Sequence, residues 1–363
     1  MLPFLLLAFT GIAADVAVTA APHAAPPVER RCGASCAGQD AGGPAAAGAP
    51  ALAASEAAAR RVERSLARLN ALRTAAGTPA LRRSEPLSLS AARHAAYLST
   101  NGFRSAPTVH AEEAGRAEFS GSDPFARMRA AGYRASYATE VVGDIGSPAT
   151  DTDCIDHLMG TVYHAALLLS RVTEAGMAYG TGGAAGACVV DLGAPLAAAG
   201  PGAEAAAAGR IVRYPWAGMT ARTGALRLDL ESPRPARSLL PDANVGIPVL
   251  VGLRNAGAAI AGTGGLDVLI QRFELRDARD APVPCVILAD PAISGPGIVA
   301  DDAVHGGFAV LVPRRPLAPG RYRVLLRATI GADVIAPVPW AFDVAPPDAP
   351  GAEPADAPAA PRP

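Results

Sequence analysis

Lysine is absent from this chain: every basic residue is arginine, and 32 basic against 33 acidic residues leave a formal net charge of −1 at pH 7. A balance this even supplies no field that would draw the protein to nucleic acid or to an anionic membrane. The exclusive use of arginine goes with heavy use of Ala, Gly and Pro. It reads as coding bias, not as a binding signal. Long apolar runs are missing too. Beyond the first residues, no segment reaches the roughly 20 uninterrupted apolar residues of a membrane-spanning helix, so an integral helical membrane protein is not expected. The five cysteines show no zinc-finger spacing, and none neighbours a catalytic partner in sequence.

The amino terminus, MLPFLLLAFTGIAADVAVTA, carries an apolar run from Leu2 to Phe9 followed by small residues suited to cleavage near Ala20 or Ala24. This pattern predicts a signal peptide over 1–24 and a secreted or periplasmic protein. Cys32 follows Glu29-Arg30-Arg31, unlike the small and apolar residues that precede a lipidated bacterial cysteine. An oxidising compartment suits the cysteines. Cys154 and Cys188 flank one predicted helix and its following strand and are expected to bridge. Cys32 and Cys36 are close enough in sequence to pair locally, which leaves Cys285 as a buried small hydrophobe or a free thiol.

With 363 residues the chain can hold two domains of ordinary size. Composition divides it into a linker over 25–54, a mixed region over 55–193, an Ala/Gly-rich linker over 194–209, a strand-rich region over 210–345 and a Pro/Ala tail over 346–363. In the mixed region a helix capped by Ser55 runs to Gly77, with Val62, Leu66, Leu69 and Leu72 or Arg73 at helical spacing. A second helix starts at Ser88 or Ser90 and ends at Gly102. A third opens at Pro124 and closes at Gly132. CIDHLMGTVYHAALLLS gives one helix or two, broken near Gly160. Two short strands follow, AGMAYG and ACVVDLG, with GTGG at 180–183 as a hairpin turn, since no helix follows it to cradle a phosphate. From Arg210 the period changes to two, in ALRLDLE, IPVLVGL, LDVLIQRFELRD, FAVLVP, RYRVLLRATI and WAFDV. About seven short strands in roughly 135 residues predict a β-sandwich of immunoglobulin-like size.

LNALRTAAGTPAL, a helix containing RHAAYLSTNG, VH at 109–110, RMRAAGY, TE at 139–140, HLMGTVYHAALLL and AGMAYG follow one another in order. That succession resembles the CAP superfamily (cysteine-rich secretory, antigen 5 and pathogenesis-related proteins) in its bacterial secreted form. The resemblance implies a CAP-like α/β/α sandwich followed by an all-β, immunoglobulin-like sandwich. It also implies a shallow cleft with two histidines and two acids. By motif His110 is similar to the first histidine, Glu140 to one acid and His164 to the second histidine. Thr161 occupies the place of the second acid, and Glu112 or Glu113 could replace it.

Read as chemistry, two neutral imidazoles and a carboxylate (His110, Glu140, His164) could hold zinc or another divalent ion with a position left for water. The same set could serve acid–base chemistry, because histidine titrates near neutrality, or could be a hydrogen-bonded network satisfying partly buried polar groups. His94, inside an amphipathic helix, reads as core or cleft wall. The leading expectation is a non-enzymatic extracytoplasmic binding protein whose cleft takes a small apolar ligand, a divalent metal or a cell-envelope component. The alternative is a metal-dependent hydrolase or protease acting on envelope or extracellular substrates.

Overall fold

In the computed structural model the described residues are 48–103, 108–144, 153–180, 186–195, 211–253, 267–331 and 333–346. The expected signal peptide, Cys32 and Cys36, residues 181–183 of the GTGG turn, nearly all of the 194–209 linker and the tail from 347 lie outside them.

Helix α1 (Gly48–Ala76) begins ahead of the expected Ser55 cap, because the preceding alanines are the strongest helix formers. It stops where Gly77 turns to a φ of 95°, a conformation glycine adopts without a Cβ penalty. Helix α2 (Glu85–Asn101) also starts early: Ser84 is its N-cap and Pro86 lies in its first turn. Helix α3 (Pro124–Ala130) is capped by Asp123, which accepts from the Ala126 N–H at 2.8 Å. Helices α4 (Asp153–Met159) and α5 (Tyr163–Leu168) are two, separated at Gly160.

Four strands form the first sheet: β1 (Arg82–Arg83), β2 (Ala135–Asp144), β3 (Glu174–Tyr179) and β4 (Ala187–Pro195), in the order β1-β3-β4-β2. The β3–β4 pair matches expectation, whereas the edge strand β2 was not anticipated. Alternation along β4 builds the layers. Cys188, Val190 and Leu192 pack with α1, α4 and α5, while Ala187 and Val189 pack with α2. Helix α2 lies so close to β3 that a Cβ on Gly176 would sit 2.1 Å from the Leu87 carbonyl carbon, so only glycine fits there. Cys154 on α4 is bonded to Cys188 on β4, the expected pair, 34 residues apart. Closing a loop of that length stabilises by roughly 4 kcal/mol in the chain-entropy picture.

The second region holds β5 (Val212–Tyr214), β6 (Thr220–Ala221), β7 (Ala225–Arg227), β8 (Asn244–Gly246), β9 (Val249–Gly252), β10 (Val268–Arg276), β11 (Cys285–Ala289), β12 (Ile293–Ser294), β13 (Ile298–Ala300), β14 (Phe308–Pro313), β15 (Gly320–Ile330) and β16 (Asp333–Val344). They make a five-stranded sheet β12-β10-β15-β16-β6, a second of order β13-β11-β14-β9-β5, and the β7–β8 pair. ALRLDLE is strand only in β7, and Leu228–Leu230 wind into a 3-10 turn that ends at Glu231.

The sheet containing β9 and β14 is buried on both faces. Val249, Val251, Ala309 and Leu311 meet Phe273, Val324, Trp340 and Phe342 of the other sheet. Leu250, Phe308, Val310 and Val312 point the other way, into the cluster that holds Leu69, Leu158 and Leu168 of the helices. FAVLVP therefore shows no alternation: a strand covered on both sides has no polar face. The described residues from Pro50 onward form one compact unit. No helix among the described residues is long and apolar enough to cross a membrane.

Arg73 on α1 is fully buried without a carboxylate partner. Its guanidinium donates to the carbonyls of Pro79, Leu168, Ser170 and Val172 at 2.5–3.0 Å, and more weakly to Thr78 Oγ1. Burial pushes its pKa down to about 9, which still leaves the charge in place at neutral pH. These bonds tie the end of α1 to the chain leaving α5. Arg73→Met keeps the bulk but strips every donor, orphaning buried carbonyls that each cost about 1–3 kcal/mol. A loss of at least about 3 kcal/mol is expected in urea unfolding of the full chain, and a loss below about 1 kcal/mol would contradict this role.

Candidate functional site

Strand β2 is the edge of the first sheet, so the α2 layer and the α4/α5 layer meet around it. Val141 faces the α1/α4/α5 side, and its neighbour Glu140 therefore faces α2. Glu140 pairs across the sheet with Asp191 of β4, which in turn pairs with Gly176. Three polar elements converge above that row: His94 from α2, Arg127 from α3, and the loop carrying His110 and Glu112.

Glu140 and Arg127 are both fully buried as side chains. Arg127 Nη2 donates to both Glu140 oxygens, at 2.9 and 2.7 Å. Its Nη1 donates to the His110 carbonyl at 3.0 Å, so one guanidinium fixes both the acid and the backbone of the histidine. The His110 ring, with its side chain 32% exposed, bonds through Nδ1 to Glu140 Oε1 at 2.9 Å. Burial alone would push the Glu140 carboxyl up. The His110 hydrogen bond and the charges of His94, Arg127 and His110 outweigh it and hold the group ionised well below the usual range.

Behind this pair, His94 is wholly buried. Its Nδ1 lies 2.9 Å from Glu112 Oε1 and its Nε2 2.9 Å from the Val109 carbonyl. A carbonyl can only accept, so Nε2 is the donor to Val109, and Nδ1 faces the Glu112 carboxyl. Glu112 also accepts from the N–H groups of Ser120 and Gly121 at 2.6 and 3.2 Å. Burial raises its pKa, but the His94 and Ser120 bonds and the Arg127 charge bring it below the ordinary value. Glu112 thus enters the network, bound to His94 rather than to His110.

His164 stands on α5. Its Nδ1 lies 3.1 Å from Thr161 Oγ1, which itself donates to the Leu158 carbonyl. Burial first, then repulsion from His110 and His157, pushes the ring down to about 4. It is neutral at physiological pH, and His110 lies within electrostatic reach of it. Of the sequence-derived set, His110 and Glu140 are in direct contact, Glu112 joins them through His94 and Arg127, and Thr161 touches His164.

Glu140 has little left to give a metal, because Arg127 and His110 occupy its oxygens. Among the described residues no group of three His, Cys, Asp or Glu side chains is placed to hold a metal ion. The donors that remain are the Nε2 atoms of His110 and His164, neither hydrogen-bonded among the described residues. The full His110–Glu140–His164 triad is therefore not arranged to hold a metal ion.

Sequence reasoning missed Arg127 and Asp191. Arg127 was masked by a chain in which arginine is common. Asp191 did carry a signal, an acid breaking the apolar run ACVVDLG. It is fully buried beside Ser90 and Glu140, and neither oxygen makes a hydrogen bond of normal geometry. Burial, then the negative charge of Glu140, raises its pKa well above the usual range. The row across the sheet thus sets a carboxyl held low, Glu140, beside one pushed up, Asp191, as expected when two carboxyls share one low-dielectric site.

Residues 66–192 match the family model of the cysteine-rich secretory protein family, CAP. No curated protein matches the chain. Among solved structures, PcoC, a methionine-rich copper resistance protein from Escherichia coli, is 16% identical over 36% of this chain and 92% of its own, with a TM-score of 0.20. Its selenomethionine form is 15% identical over 36% and 94%, with a TM-score of 0.21. Scores this low settle neither fold nor activity.

Asp191 gives a signed pH dependence. A carboxyl whose folded pKa lies above the unfolded value of about 3.9 destabilises the fold as pH rises from that value toward the folded one, by about 1.4 kcal/mol per pH unit. Asp191→Asn removes this slope. The variant is expected to gain stability over wild type progressively as pH rises above about 4 in urea titrations, and parallel curves would show that Asp191 ionises normally.

Proposed function

We propose, starting from the match of residues 66–192 to the CAP family model, that the protein is an exported, non-enzymatic binding protein. Its His110/His164 cleft would take a divalent ion or a small ligand outside the cytoplasm, and the two-sheet region, read as an immunoglobulin-like sandwich, would extend the binding surface toward the cell envelope. The observation that carries this reading is the commitment of the acids. Glu140 is locked by Arg127, Asp191 is fully buried behind it and Glu112 faces His94. The exposed edge of the cleft is left with imidazole nitrogens, which suit binding. The Cys154–Cys188 bridge supports an oxidising compartment.

One observation favours the alternative, a hydrolase acting on envelope or extracellular substrates. Glu140 orients His110 through Nδ1 and leaves Nε2 toward the cleft, the arrangement a general base requires. Among the described residues no serine, threonine or cysteine side chain hydrogen-bonds His110, so in this reading the nucleophile would be water.

The two readings separate in thermal melts and hydrolysis assays. Zinc is expected to raise the melting temperature of wild type, because a ligand that binds only the native state stabilises it, and to leave a His110→Ala/His164→Ala variant unmoved. Melting curves unchanged across zinc, magnesium and calcium would remove the metal. Casein hydrolysis lost in His110→Ala would favour the hydrolase.

A further inference from the structure

Helix α5, which carries His164, cannot hold its own first turn. Its N-cap is Val162, which has no side-chain acceptor and makes no capping bond. The acceptor arrives from the second region: Oε1 of Glu231, at the end of the Leu228–Leu230 turn, takes the Val162 N–H at 2.5 Å. The next residue is clamped from the same side. Tyr163 donates its hydroxyl to Asp301 Oδ2 at 2.8 Å, across 138 positions of sequence. The far end of α5 is held from within the CAP region, where Arg73 binds the carbonyls of Leu168 and Ser170.

We propose that Glu231, with Asp301 as a second clamp, is a positioning residue for the cleft: the strand-rich region sets the place of His164 by capping the helix that carries it. The histidine follows the two clamped residues directly, so a shift of Val162 and Tyr163 moves its ring, while His94 and His110 rest on other elements. Glu231 is only 6% exposed, and its second oxygen has no hydrogen-bond partner. Burial pushes its pKa up to about 7 despite the Val162 bond. A packed interface filled for stability alone would favour an apolar side chain here, because burying a carboxylate without full pairing is unfavourable. What the carboxylate adds is a directional bond to one N–H. A partner that engages the loops bearing Glu231 and Asp301 would then act on the cleft without touching it. The role of His164 rests on the function proposed above; its placement by Glu231 does not.

The test is nuclear magnetic resonance on the full chain without ligand, reading the histidine ring Cε1–Hε1 signals and amide exchange at Val162. In Glu231→Ala the His164 signal is expected to shift or broaden while His94 and His110 stay in place. Val162 exchange should quicken by about fivefold or more, the size of a lost helix cap. Glu231→Gln, which keeps an oxygen acceptor, should restore both. An unmoved His164 in Glu231→Ala, or equal disturbance of all three histidines, overturns the proposal, as does a Glu231→Gln variant no better than Ala. Should Glu231→Ala fail to fold, Tyr163→Phe removes only the Asp301 bond. A His164 signal unchanged there overturns the proposal equally. Because no metal or ligand is present, this outcome is independent of whether the cleft binds zinc.

Discussion

The buried ion pair between Arg127 and Glu140 is the constraint on which the candidate site depends. Taking both charges out of water costs several kcal/mol per ion, and their attraction compensates only when geometry and further hydrogen bonds are good. Both conditions are met. Two bonds join the guanidinium to the carboxylate, a third reaches the His110 carbonyl, and the His110 ring supplies the remaining contact. Three separate pieces of chain, α3, β2 and the loop at 110, are thereby fixed to one another. The upward push on the Asp191 carboxyl comes from its burial and from the negative charge of Glu140 in this same pair.

Much of the architecture was legible in the sequence, and the failures have physical causes. Proline, capping and glycine signals located α3 and the break between α4 and α5, and the Cys154–Cys188 pairing followed from the elements those residues flank. Strand β2 escaped notice because its α2-facing positions include Glu140, a charge at a buried site that breaks the period-two pattern. Cys285–Ala289 was passed over as a strand although its apolar run fits one. Conversely, the alternation of ALRLDLE promised a full strand, but only three residues pair and the rest turn toward Glu231. In the site itself, His110, Glu140 and His164 were recognisable by motif order. Arg127 was not, because nothing distinguishes one arginine among so many until its burial is known.

The composition also concealed how closely the two regions are joined. The middle sheet is apolar on both faces, with Val310 and Val312 packed toward the helices and Ala309 and Leu311 toward the other sheet. Helix α5 lies at that junction and is hydrogen-bonded by side chains from both regions. Two of those side chains, Glu231 and Asp301, lie outside the span matched to the CAP family model.

The central claim, that Arg127 and Glu140 act as a unit, is tested most directly by a double-mutant cycle of Arg127→Met and Glu140→Gln in urea unfolding. Each single change leaves a buried charge unpaired and should cost about 3–5 kcal/mol. The double variant should be less destabilised than the sum of the two, by about 2 kcal/mol or more. Additivity within about 0.5 kcal/mol would mean that the two side chains do not depend on each other, and the account of the site built on them would be wrong.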